Sequence, residues 1–321
     1  MSTHSKELML PRPSTSIPLD VPRVKAPSET DFISTFGNIL PPASFLTIND
    51  ANVAYYSLPP VTSSKTPSVN RVLLVHGVHT SAIGLLPFAN ALQSSFPSTH
   101  FVFFDLYGHG ISDAPIVPYT RSRFHALIDA LLDRLAWPSA HMIGYSFGGA
   151  TAVSYTALHP SRVQSLAIVG PAGLLRPADY SVEHLRGENE AEVTRFTLDW
   201  LEGGPLVVPA DWKERTANGE VVAAAVRDWQ NRNHPAHIAA VVGIVRDGGV
   251  FDSHTFFAQA SKTGIPSVAV LGELDDVCTT QDLVGLGFTD VTVVPGAGHG
   301  VIRENVNEVA EVVERFWRQI A

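Results

Sequence analysis

Apolar positions along the chain follow two rhythms. The first is short and unbroken: Val72–Val75, Phe101–Phe104, Met142-Ile143, Leu166–Val169, Ser267–Leu271 and Val291–Val294. Runs of this length without polar alternation read as strands buried on both faces. The second rhythm has helical spacing. It includes Leu86, Phe88, Ala89 and Leu92, then Phe124, Leu127, Ile128, Leu131, Leu132 and Leu135, and finally Val306, Val309, Ala310, Val313, Phe316 and Trp317. Each set places its apolar residues on one helix face. Strand and helix alternating in this way specify an α/β fold with a mostly parallel central sheet and helices on both faces. Ahead of them, Ser44–Ile48 and Ala51–Leu58 flank Asn49-Asp50 and predict an antiparallel hairpin.

The rhythm stops at Gly170-Pro171. From there the segments are helix-like and carry Phe196, Trp200, Trp212, Trp229, Phe251, Phe256 and Phe257, with breaks at Gly203-Gly204-Pro205 and Gly248-Gly249. This stretch reads as a helical cap inserted between sheet strands. At the other end, Pro11, Pro13, Pro18, Pro22 and Pro27 lie among serines and charges without periodicity, which predicts a disordered leader. The expected organisation is a leader over 1–43, a core over 44–170, a cap over 171–262 and the rest of the core over 263–321.

Composition narrows the possible partners. With 45% hydrophobic and 17% charged residues, the 321-residue chain can bury a large core. Its formal net charge is -9 and it has no basic run, which argues against nucleic acid and anionic membrane surfaces as partners. The single cysteine, Cys278, has no partner for an internal disulfide and reads as a core residue. No apolar run approaches the roughly 18 residues of a membrane span, and no signal-peptide h-region is present. The expectation is an intracellular, cytoplasmic protein without a transmembrane segment.

The candidate chemistry centres on Gly144-Tyr145-Ser146-Phe147-Gly148. A G-x-S-x-G pattern between a buried strand and a helix forms a sharp turn that exposes the serine hydroxyl. A serine hydroxyl is nearly inert at neutral pH, so it needs a base within reach and a third group to orient that base. In an open parallel sheet such groups gather beyond the carboxyl ends of strands. Beyond Leu271 stand Glu273, Asp275 and Asp276; beyond Val294 stands His299, flanked by Gly298 and Gly300. His299 is therefore the candidate base. Asp275 is the first candidate acid, ahead of Asp276 and then Glu273. The backbone N–H groups of Phe147 and Val78 are the candidate oxyanion donors. His76, His79, His234 and His237 lack carboxylates or cysteines at ligand spacing, so neither a metal nor a cofactor is expected.

These residues, together with His76-Gly77 and Asp105-Leu106-Tyr107-Gly108-His109-Gly110-Ile111-Ser112, make the chain resemble the α/β-hydrolase superfamily from about Ser44 onward. It is most similar to capped members such as monoacylglycerol-lipase-like esterases and carbon–carbon bond hydrolases. The resemblance implies that Asp275 completes a Ser-His-Asp triad, that Asp105 and its glycine loop are structural, and that a lid follows Gly170. One position departs from the pattern: a small residue, often glycine, commonly stands where His79 does. The expected activity is that of a cofactor-independent serine hydrolase forming an acyl-enzyme from a mainly apolar ester, thioester or lactone. Three alternatives remain open: an acyltransferase, a carbon–carbon bond hydrolase with the same triad, and a non-catalytic ligand receptor of the same fold.

Overall fold

The computed structural model describes residues 8–13, 21–63, 69–176, 183–187 and 189–320. Its strands are β1 (Arg23–Val24), β2 (Ser44–Ile48), β3 (Ala51–Leu58), β4 (Arg71–Val75), β5 (His100–Phe104), β6 (Ala114–Pro115), β7 (Ala140–Tyr145), β8 (Val163–Val169), β9 (Ser267–Gly272) and β10 (Val291–Val294). Eight of them form one sheet in the order β10-β9-β8-β7-β4-β5-β3-β2, while β1 pairs with β6. From β10 to β5 every pairing is parallel; β3 runs antiparallel to both β5 and β2. The β2–β3 connection is the predicted hairpin. Asn49 and Asp50 both take positive φ, 48° and 61°, as a two-residue turn of this type requires.

The helices before the β8–β9 connection are α1 (Glu29–Phe36), α2 (Leu86–Ser95), α3 (Arg121–Arg134) and α4 (Phe147–Leu158). Within the connection lie α5 (Glu183–Arg186), α6 (Glu190–Glu202), α7 (Trp212–Ala217), α8 (Ala223–Asn233), α9 (His237–Asp247) and α10 (His254–Ala260). After β9 come α11 (Thr280–Gly285), α12 (Val301–Glu304) and α13 (Val306–Ile320). Alternate side chains of the central strands separate into two cores. Leu73, Val75, Val102 and Phe104 pack with α3 and α4 through Leu127, Leu131 and Val153. Val72, Leu74, Phe101 and Phe103 pack with α2 and α13 through Phe88, Leu92, Val313 and Trp317. Both faces are covered, which is why the strands carry unbroken apolar runs.

The leader expectation is corrected over 21–43; residues 1–7 and 14–20 lie outside the described residues. Ser28 and Asp31 form a capping box that starts α1, and Phe32 and Phe36 are buried on one side of it. Their rings pack against Trp229 at 5.3 and 5.9 Å, and Phe36 also meets Trp212 at 5.7 Å. This one-turn spacing is hidden in a proline-rich context, because only two apolar residues define it. Leu10 is also buried, against Gly243 of α9, and its carbonyl accepts from Arg246 at 3.1 Å.

Candidate active site

Sheet order changes direction between β4 and β7, where β4 leads outward to β5 while β7 leads to β8. Loops leaving two such strands diverge and leave a crevice at their carboxyl ends. Ser146 stands there, between the last residue of β7 and the first of α4, at φ 54° and ψ -120°. This is a costly conformation for a non-glycine residue, of order 1–3 kcal/mol, and its neighbours enforce it. A Cβ on Gly144 would lie 2.3 Å from the carbonyl oxygen of Gly148, and one on Gly148 would lie 2.0 Å from that of Val75. The two glycines of the motif are therefore demanded by backbone crowding. The Ser146 carbonyl accepts from Gly149, Ala150 and Ala172 at 2.9, 3.2 and 2.9 Å.

The sequence-predicted partners converge on this serine. Ser146 Oγ lies 3.0 Å from His299 Nε2. On the far side of the ring, His299 Nδ1 is 3.0 Å from each carboxylate oxygen of Asp275. The Asp275 side chain is fully buried, while the His299 side chain is 34% exposed toward the crevice. Asp275 Oδ1 also accepts from the Val277 N–H at 3.0 Å, which fixes the carboxylate plane. Asp276, the alternative acid, is exposed and lines the cavity without contacting the imidazole; Glu273 turns away to accept from Gly296 N–H at 2.7 Å. Gly170 approaches closely: a Cβ there would be 2.9 Å from Asp275 Oδ2 and 3.4 Å from His299 Nδ1.

A cavity of about 200 Å³ opens over Ser146 and His299. Its walls are apolar: Leu175, Trp200, Leu201, Val245, Val250 and Val277. Val78 and Phe147 also line it, and neither backbone N–H has a hydrogen-bond partner among the described residues. Both are thus available to a bound oxygen. Arrangements of this kind can move a proton from a hydroxyl to an imidazole and stabilise negative charge on an adjacent oxygen.

The surrounding histidines serve the loops. His76 donates from Nδ1 to Gly77 O at 2.7 Å and accepts at Nε2 from Leu106 N–H at 2.9 Å, and burial pushes its pKa down to about 4. His79 has φ 67°, which explains why a small residue suits that position. Asp105 is buried and accepts from Ala82 N–H, Ile111 N–H and Tyr56 O–H at 2.8, 3.1 and 2.9 Å, tying the loop after β4 to the glycine loop after β5. Burial raises its pKa to about 6, against the pull of those three donors. Among the described residues no group of three or more His, Cys, Asp or Glu side chains is arranged to hold a metal ion.

Several residues of the site were not legible in the sequence. Tyr145 donates its O–H to the His299 carbonyl at 3.0 Å, and Gln230 of α8 bridges His79 O and Gly110 N–H at 3.1 and 2.8 Å. Tyr145 could have been suspected from its place beside the serine. Gln230 carries no local signal, because the path from β8 to β9 decides what it faces.

Comparison with known proteins supports the same architecture. The sequence model of the α/β-hydrolase fold matches residues 70–197. A monoacylglycerol lipase of Xenopus laevis is 30% identical over 258 residues, covering 76% of this chain and 74% of that one. A Bacillus subtilis (strain 168) protein provisionally named as a 2-succinyl-6-hydroxy-2,4-cyclohexadiene-1-carboxylate synthase is 24% identical, covering 71% and 85% respectively. Among solved structures, the enol-lactonase of Burkholderia xenovorans LB400 superposes with a TM-score of 0.62 at 20% identity, over 85% of this chain and 99% of that one.

Proposed function

The chain belongs to the α/β-hydrolase family, and within it we propose that this protein is a cofactor-independent serine hydrolase acting on small, mainly apolar carboxylic esters, thioesters or lactones. The observation that carries the reading is the continuous line from Ser146 Oγ through both nitrogens of His299 to the buried Asp275, with each contact at 3.0 Å. On this reading Ser146 Oγ attacks the acyl carbon as His299 Nε2 takes its proton. Asp275 holds Nδ1–H and stabilises the imidazolium without taking the proton. The amides of Val78 and Phe147 receive the oxyanion. His299 then protonates the leaving alcohol or thiol, and a water activated by the same imidazole releases the acid and restores Ser146.

Cavity size bounds the substrate. At about 200 Å³ it falls below the roughly 300–1,000 Å³ common for small-molecule pockets, which favours an acyl group of short to medium length. Residues 171–262 act as a cap on this reading, since Trp200, Leu201 and Val245 supply much of the apolar wall. The flanking stretches 44–170 and 263–321 form the core beneath it. The test is a p-nitrophenyl ester series from acetate to dodecanoate, run with wild type and Ser146→Ala alongside a diketone. Ester turnover that peaks at short to medium acyl length and disappears in the variant supports the proposal. Diketone cleavage without ester turnover would replace it with carbon–carbon hydrolysis.

A further inference from the structure

Proton positions around His79 follow from its neighbours. The Gly108 carbonyl can only accept, so His237 Nδ1, 2.9 Å away, carries a hydrogen. Burial among other histidines keeps His237 neutral, so its Nε2 presents a lone pair. His79 Nδ1, 3.2 Å from that nitrogen, must therefore be the donor. This leaves His79 Nε2, a buried nitrogen with no hydrogen-bond partner among the described residues, facing Glu202 Oε1 at 3.4 Å. Two lone pairs at that separation repel. The contact is attractive only when one proton lies between them, on either side.

The two halves of this contact differ in freedom. His79 is fixed: besides its ring contact, its N–H donates to His109 Nε2 at 3.3 Å and its carbonyl accepts from Gln230 at 3.1 Å. Glu202 closes α6 just before Gly203 and Gly204, at φ 65° and 155°, and among the described residues no atom lies within 4 Å of where their Cβ atoms would stand. The helix end that bears Trp200 and Leu201, both walls of the cavity, packs with Val78 and Phe251 against one apolar cluster, and the Glu202–His79 contact adds a polar link from that end to the loop bearing the Val78 N–H. We propose that His79 and Glu202 form a proton-held clasp that seats the end of α6 over the catalytic cavity. The proposal rests on the reading of that cavity as a substrate site.

The groups facing the clasp set its direction. Arg227 of α8 faces both partners; His109 and His237 face His79, with His234 and His76 beyond them; Arg227 itself faces Arg303 and Tyr145. Burial lowers the His79 pKa and Arg227 adds to that, while the Glu202 carboxylate opposes it. Both partners are shifted downward, so the shared proton leaves below the ordinary imidazole range as pH rises, and the clasp is closed only on the acid side of that range.

Hydrogen–deuterium exchange of the α6 amides, corrected for intrinsic rates, tests this in wild type, Glu202→Gln and Glu202→Ala at about pH 4.5 and about pH 8. Glutamine can donate its amide N–H to the His79 lone pair without a titrating proton. Wild type should be protected at the lower pH and exchange roughly ten-fold faster at the higher one, whereas Glu202→Gln stays protected at both and Glu202→Ala at neither. His79→Asn, which tolerates positive φ but cannot reach Glu202, should behave as Glu202→Ala does. Equal exchange in wild type and Glu202→Ala at the lower pH would overturn the clasp, as would Glu202→Gln following the wild-type pH dependence. Exchange needs no turnover, so a wild type that exchanges as described yet hydrolyses no ester would sink the hydrolase reading alone.

Discussion

Replacing Asp275 with asparagine should disable the site while leaving the fold intact, and the structure says how. Asp275 Oδ1 accepts from the Val277 N–H at 3.0 Å, so an asparagine would keep its carbonyl there and turn its NH₂ toward His299 Nδ1. That sets an N–H donor in place of the Oδ2 acceptor 3.0 Å from Nδ1 and favours the tautomer with its hydrogen on Nε2, facing Ser146, which cannot accept the serine proton. The lost charge matters as well: an imidazolium and a carboxylate about 4 Å apart at an effective dielectric near 20 attract by ~4 kcal/mol, close to a thousand-fold in rate. With the tautomer error added, kcat should fall by ~10⁴ at little change in KM. Asp276→Asn serves as the control, because that side chain is exposed and does not touch the ring; its effect should stay within about three-fold. The assay is steady-state ester hydrolysis, with thermal melts to show that both variants fold. A large loss in Asp276→Asn with Asp275→Asn near wild type would refute the assignment of the acid.

Other expectations follow from the same geometry. Gly148→Ala pushes a methyl group to 2.0 Å from the Val75 carbonyl oxygen, so it should lower urea stability by about 3 kcal/mol, the upper end for overpacking, and abolish activity. Trp200→Ala enlarges the apolar wall of the cavity and should shift the preferred ester toward longer acyl chains, read as a change in relative kcat/KM across the series. Acidification should destabilise the fold. Burial pushes His76 and His141 down to about 4 and His125 to about 3, so the unfolded chain binds their protons first. Their stabilising effect is complete above pH ~6.5 and is lost as pH falls, by about 2 kcal/mol each near pH 5. Asp105, raised to about 6, works in the opposite direction and returns only about 1 kcal/mol over that interval. Urea midpoints at the two pH values check the sign, and a higher midpoint near pH 5 would contradict it.

The sheet and the three convergent side chains were legible because their signals are local. Val72–Val75 and Phe101–Phe104 are apolar throughout since both faces of their strands are covered; Ser146 follows directly on β7, and Asp275 and His299 stand in the short loops just beyond β9 and β10. Where contacts come from far along the chain, the same reading runs out. The α1 helix is held by two phenylalanines against Trp212 and Trp229, nearly 200 residues later, and proline-rich flanks masked its capping box. His79 stood out only as an exception to a small-residue position. Its left-handed φ and its contact with Glu202 depend on how α6, α8 and α9 pack over the core, which no spacing encodes.

The most direct test of the central claim is intact-mass spectrometry after brief exposure to a fluorophosphonate, with wild type and Ser146→Ala compared. The account predicts one adduct per chain in wild type and none in the variant, since an activated hydroxyl is expected at Ser146 alone. An adduct that persists in Ser146→Ala, or its absence from a folded wild type whose cavity admits the reagent, would contradict it.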